Sequence, residues 1–175
     1  GITDWVYEEE FAFVKAFDWS ADSKKIAFIR FDESEVPEFS MSIFQKELYP
    51  KVETFKYPKA GEKNAVVSLH IYDVASQTKK DVNLGNYSDF YIARMQWTND
   101  ANVLSAQVLN RHQDNLDLLF IDGTTAAAKV VLNEKDKAYI DVTDNLTFLK
   151  DNSFIWTSEK DGFNHIYLYD KTGKL

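Results

Sequence analysis

Three consecutive carboxylates, Glu8, Glu9 and Glu10, stand inside the aromatic run Asp4-Trp5-Val6-Tyr7-Glu8-Glu9-Glu10-Phe11. Adjacent like charges repel, so a short acidic helical turn is expected here. Thr3 or Asp4 would be its N-cap, and the positive helix N-terminus would offset the charge. Neither cap has Glu or Gln three residues on, so no capping box is expected. Neighbouring helical residues point about 100° apart, which lets two of the three glutamates converge on one ligand while the third faces elsewhere. The chemistry suited to such a pair is capture of a cation. An ammonium offers three donors and a carboxylate pair accepts two or more of them, at roughly 1.5–3 kcal/mol per charged hydrogen bond. The flanking Trp5, Tyr7 and Phe11 could shield that site from water. The competing reading is a solvated acidic turn. General acid–base work on a glycoside needs two carboxyls about 5–10 Å apart across a sugar, which neighbours on one turn fit poorly.

Other reactive constellations are sparse. His70, His112 and His165 lie 42 and 53 residues apart, without metal-ligand spacing, and read as structural or surface residues. The chain has no cysteine, hence no disulfide framework, thiolate metal site or Cys nucleophile. None of the six glycines opens the G-x-S-x-G elbow of a serine hydrolase, so no catalytic residue is assigned within these residues. No metal and no cofactor is expected. Asn110–Asn115 and Asp161–His165 read as hairpin turns, the first offering Arg111 as a residue that could face a cavity.

The charge balance narrows the partners. With 20 Lys+Arg against 28 Asp+Glu, the net charge of −8 repels nucleic acid and anionic lipid and favours cationic or neutral ligands. No apolar stretch approaches the roughly 18 residues of a membrane span, and GITDWVYEEE lacks the basic and apolar regions of a signal peptide. The compartment stays open.

The elements that must position these residues are strands. A content of 15% aromatic and 45% hydrophobic residues over 175 positions suits an all-β chain with one sizeable core. An internal repeat sets the architecture. Trp19-Ser20-Ala21-Asp22 followed by Ile26–Ile29 recurs as Trp97-Thr98-Asn99-Asp100 followed by Val103–Ala106, and more weakly as Phe148–Asn152 followed by Phe154–Trp156. Each copy is a strand, a polar turn and a second strand. A third strand follows at Val66–Asp73, Leu116–Asp122 and His165–Asp170, and a shorter fourth near Lys79–Leu84 and Ala128–Leu132. The unit is four antiparallel strands. Trp97 to Phe148 is 51 residues, close to the 40–50 or so of a propeller blade, whereas Trp19 to Trp97 is 78. The surplus falls in 33–64, which holds all three prolines and the strand-like runs Ser42–Gln45 and Val52–Tyr57. We read it as an arm inserted in the first blade. The expected organisation is a blade at 13–84 carrying the arm at 33–64, a blade at 89–134, and an incomplete one at 139–175. Three blades make an arc, so the chain is expected to be part of a longer propeller.

DWVYEEEF, the Trp19–Asp22 turn, FDESEVPEFS and YPKAGEKN, in that order, resemble the propeller of the dipeptidyl peptidase IV group in the prolyl oligopeptidase family, and weaker similarity continues through Asn110–Gln113 and Asp151–Tyr169. The resemblance implies an eight-bladed propeller over an α/β-hydrolase domain with a Ser-Asp-His triad, absent from these residues. The implied activity is removal of dipeptides after Pro or Ala from peptides with a free N-terminus. It also implies that Glu9 and Glu10 bind the substrate α-amine, with Glu8, Tyr7 and Arg111 as possible supports. The resemblance to mammalian relatives implies a Phe-Arg pair that helps line the second subsite; the corresponding Ala138–Asp141 holds Tyr139 and Ile140 but no Arg. The arm, over 38–59, would pack on a second copy in a homodimer, its apolar face including Phe39, Phe44, Leu48, Tyr49 and Tyr57. Export to the periplasm or a membrane surface is implied as well. The sequons at Asn86 and Asn145 are read as chance occurrences. The alternatives are a non-catalytic propeller that binds a basic partner through its acidic patch, or one that stacks glycans on exposed aromatics.

Overall fold

The computed structural model describes residues 2–175. One helix, α1 (Trp5–Phe11), precedes thirteen strands, and the described residues include no helix long and apolar enough to cross a membrane. The first antiparallel sheet is made of β1 (Phe17–Trp19), β2 (Lys25–Asp32), β5 (Val66–Asp73) and β6 (Thr78–Asp81), adjacent in that order. The second contains β7 (Phe90–Trp97), β8 (Val103–Asn110), β9 (Asn115–Asp122) and β10 (Ala128–Lys135), again in chain order. The third has β11 (Thr147–Phe148), β12 (Phe154–Ser158) and β13 (His165–Tyr169). Between β2 and β5 the chain leaves the first sheet as a separate hairpin of β3 (Glu38–Ile43) and β4 (Lys51–Lys56).

The second sheet is the middle layer, which explains the composition of its strands. In β8 the six residues from Leu104 to Leu109 are all buried, Ser105 and Gln107 included, because neighbouring sheets cover both faces. Asp18 of β1 joins the first sheet to the second: its Oδ2 accepts the Trp97 backbone N–H at 3.0 Å, and its carbonyl accepts the indole N–H at 3.1 Å. On the other side, Gln96 donates to the Leu146 carbonyl at 3.2 Å, and Phe120 packs on Phe148 and Phe154 with ring centroids 5.8 and 5.6 Å apart. Trp97 is buried against Gly123, where a Cβ would come within 3.0 Å of the indole ring. Its repeat equivalent Trp19 is 45% exposed, so identical repeat positions have different surroundings.

The arm strands differ from expectation. The run from Glu38 to Ile43, with its alternation of Phe39, Met41 and Ile43, pairs with Lys51–Lys56, so β3 starts right after Pro37 and not at Ser42. Proline lacks the N–H a ladder needs, which places the strand start after it. Phe44–Pro50 then forms the tip. The fourth strands also shift: β6 stops at Asp81, and β10 runs three residues beyond Leu132, to Lys135.

Candidate functional site

α1 is only seven residues long, too short to be stable by itself, so its surroundings must hold it. Asp4 is the N-cap, its Oδ1 accepting the Tyr7 N–H at 3.0 Å. Burial is the main reason its carboxyl titrates above the ordinary value of 3.8. At the other end Ala12 takes a left-handed conformation, φ 49°, and the Phe13 N–H reaches back to the Tyr7 carbonyl at 3.0 Å. Tyr7 anchors the helix from beneath. It is 2% exposed, packs edge-on to Phe31 and Phe11, and its hydroxyl accepts the Ile92 N–H at 2.8 Å. Ile92 flanks a register shift in the β7–β8 pairing, and Tyr7 supplies the partner its N–H needs. Burial, the largest cause, pushes the phenol well above its usual range. Tyr7 therefore supports the acidic turn structurally. It does not shield the groove above, as the sequence suggested.

A groove of about 860 Å³ opens between α1, the arm and the second sheet. Trp5, Val6 and Phe11 of α1 form one wall, Phe39, Met41, Phe55, Tyr57 and Pro58 of the arm another, and Tyr91 of β7 with Arg111 of the β8–β9 turn a third. Of the three glutamates, Glu10 lines this groove. Glu8 and Glu9 are exposed but lie outside its lining, as the angular spacing of a helix requires. Among the described residues none of these three carboxylates has an ion-pair partner, and no metal-ligating cluster occurs.

Arg111 lies on the same groove. One guanidinium nitrogen donates to the Glu62 carbonyl at 3.0 Å and another stands 3.6 Å from Asp89. The remaining polar groups there have low sequence visibility. Asn64 donates to the Tyr91 hydroxyl at 2.8 Å, tying the end of the arm to β7 across 27 residues, a pairing for which the sequence holds no signal. The segment read as the second subsite is connected but displaced. The Ile140 N–H donates at 2.7 Å to the carbonyl of Gln113, a groove residue, while Tyr139 is exposed elsewhere. In chemical terms the site is an aromatic-walled trough with one carboxylate, Glu10, two cationic side chains, Lys59 and Arg111, and two amides, Asn64 and Gln113, suited to a ligand with charged and peptide-like groups.

The histidines lie apart from this site. His70 is buried, stacks on Phe28 at 5.1 Å, and its two ring nitrogens meet Ser68 and Asp81, each at 2.8 Å. That is the partner order of a nucleophilic triad. Ser68 and His70 lie within a paired strand, however, without the sharp turn that raises a serine out of its sheet. The arrangement satisfies a buried imidazole. His165 is exposed on β13.

Antiparallel sheets packed face to face, with a hairpin thrown out of the first and a helix beside it, define a propeller-like all-β domain. The family described as the dipeptidyl peptidase IV (DPP IV) N-terminal region matches residues 1–175, and the chain belongs to it. The structure of Porphyromonas gingivalis dipeptidyl peptidase 4 superposes with a TM-score of 0.95 at 45% identity, covering 100% of this chain and 25% of that one. A protein from Bacteroides ovatus, provisionally named dipeptidyl aminopeptidase IV, gives 0.85 at 27% identity, covering 98% of this chain and 24% of its own. The probable dipeptidyl-aminopeptidase B of Phaeosphaeria nodorum is 32% identical over 193 residues, 95% of this chain and 21% of that protein. The chain thus spans between a fifth and a quarter of these relatives.

Proposed function

We propose that this chain is the propeller portion of a serine exopeptidase that removes X-Pro or X-Ala dipeptides from peptides with a free N-terminus, Glu9 and Glu10 binding the α-amine. The observation that supports it is the position of Glu10, a carboxylate on an aromatic-walled groove, carried by a helix capped at Asp4 and anchored by Tyr7. Glu9, the next residue on the helix, would complete the pair from the rim. A charged amine held there would set the length of peptide between the clamp and a nucleophile elsewhere in the protein, so cleavage falls two residues in. A blocked N-terminus leaves the carboxylates facing a group that cannot donate to them and is disfavoured. The glutamates position substrate and transfer no proton. The triad would belong to an α/β-hydrolase domain outside these residues, acting through an acyl-enzyme. In the full-length protein the arm at 38–59 would pair two copies, since Phe44, Leu48 and Tyr49 at its tip are 78% exposed or more.

The test is kcat/KM of the full-length enzyme on glycyl-prolyl-p-nitroanilide and on its N-acetylated form, for wild type, Glu9→Gln and Glu10→Gln. Loss of about a hundredfold or more in both variants, with little wild-type activity on the acetylated substrate, is expected from losing charged hydrogen bonds at a fixed position. Unchanged turnover would make the glutamates a solvated acidic turn. No wild-type turnover would favour a binding module.

A further inference from the structure

One wall of the groove belongs to the arm, whose base touches the start of the helix that carries Glu10 and braces Tyr91 of β7, on which the helix end packs. At its start, Trp5 packs on Tyr57 with ring centroids 4.2 Å apart. Tyr57 is fixed in turn by Phe39 and Phe55, at 5.4 and 6.1 Å, and by its N–H, which donates to the Pro37 carbonyl at 2.9 Å. The chain then runs through Pro58 to two ties on the second sheet: Glu62 accepts from Arg111, and Asn64 donates to Tyr91. Tyr91 packs edge-on to Phe11, the last residue of α1, at 5.0 Å. The contacts close a ring around the groove, from Trp5 through Tyr57 and Asn64 to Tyr91, Phe11 and back along the helix. Glu10 lies within it, one residue before Phe11. Tyr7 and the Asp4 cap hold the depth and start of α1, and the aromatic contacts at its two ends, Trp5–Tyr57 and Phe11–Tyr91, bear on the direction in which Glu10 points.

We infer that Tyr57 is a positioning residue for substrate recognition: through Trp5 it sets the orientation of α1, and thereby where Glu10 meets the amine. The inference rests on the reading of Glu9 and Glu10 as the amine clamp. It gives the arm a part in the site of its own subunit, besides any part in dimerisation. Its effect belongs to binding, since Tyr57 stands on the groove wall and acts through a carboxylate that transfers no proton.

The experiment is a double-mutant cycle in the full-length enzyme on glycyl-prolyl-p-nitroanilide, with Tyr57→Ala, Glu10→Gln and the pair. The mass of every variant is checked by light scattering. Tyr57→Ala should raise KM about tenfold with kcat within about twofold, and Tyr57→Phe, which keeps the ring contact, should stay within about twofold of wild type. The pair should lose clearly less than the product of the two single losses, because much of what Tyr57 does is to position Glu10. Independent, multiplying losses would overturn the inference, as would a harmless Tyr57→Ala beside a damaging Glu10→Gln, or a KM change that tracks a change in mass. A harmless Glu10→Gln would instead overturn the clamp itself. If Tyr57→Ala does not fold, Tyr57→Leu enters the same cycle under the same criteria.

Discussion

At the scale of the residue, the acidic turn shows why a run of identical side chains does not become a site with equivalent members. Glu8, Glu9 and Glu10 are chemically alike, yet the helix points only Glu10 into the groove. The aromatic residues around them divide in the same way, with Trp5 and Phe11 on the groove and Tyr7 beneath it. Tyr7→Phe isolates what the hydroxyl does. The ring and its packing remain, while the buried Ile92 N–H loses its acceptor, which costs about 1–3 kcal/mol. Urea unfolding of the variant should show that loss in the midpoint with an unchanged slope. A midpoint equal to wild type would mean that water reaches Ile92.

At the scale of the element, the turns carry a recurrent device that the sequence shows as Asp followed by Ser or Thr. Asp73 accepts from Ser76, Asp122 from Thr124 and Thr125, Asp151 from Ser153, and Asp170 from Thr172. These bonds are the leading reason the four carboxyls titrate below 3.8. A pKa lower in the folded than in the unfolded chain stabilises above the unfolded value, and the benefit disappears as pH falls through the folded one. The melting temperature should therefore decline on acidification below the ordinary carboxylate value of 3.8. Asp122→Asn keeps an acceptor oxygen for the turn but cannot ionise. Its melting temperature should fall somewhat below wild type near neutrality, and the gap should close as the wild-type carboxyl protonates, so its acid decline is shallower. A decline as steep as wild type would remove Asp122 as a contributor. Asp4 acts in the opposite sense, since burial raises its pKa, and its protonation on acidification eases a desolvation cost.

At the scale of the whole molecule, the arm is the element whose two ends face different neighbours. Its base walls the groove, while its tip, with Phe44 80% and Leu48 89% exposed, makes no such contribution. A deletion of the whole arm would remove Tyr57 along with the tip and confuse the two. Replacing Phe44, Leu48 and Tyr49 together by Asp leaves the base intact. If the arm tip pairs two copies of the full-length protein, as proposed, this variant should elute at monomer mass and the parent at dimer mass, with the fold unchanged by circular dichroism. A persistent dimer mass would remove the arm tip as the interface.

The repeat of aromatic, polar turn and apolar strand was enough to read the strands and their antiparallel order, because a strand's side-chain period and a turn's chemistry are local properties. The acidic turn was legible for the same reason, and its cap was narrowed to Thr3 or Asp4, of which the structure uses Asp4: a cap and its target are three residues apart. The start of β3 was misplaced at Ser42, where the alternation beginning at Phe39 and the preceding Pro37 held a usable signal. Which glutamate enters the groove, the Tyr7 anchor at Ile92 and the Asn64–Tyr91 tie were decided only by tertiary structure. The last two span 85 and 27 residues, and packing between separate sheets, which no local pattern encodes, brings their partners together.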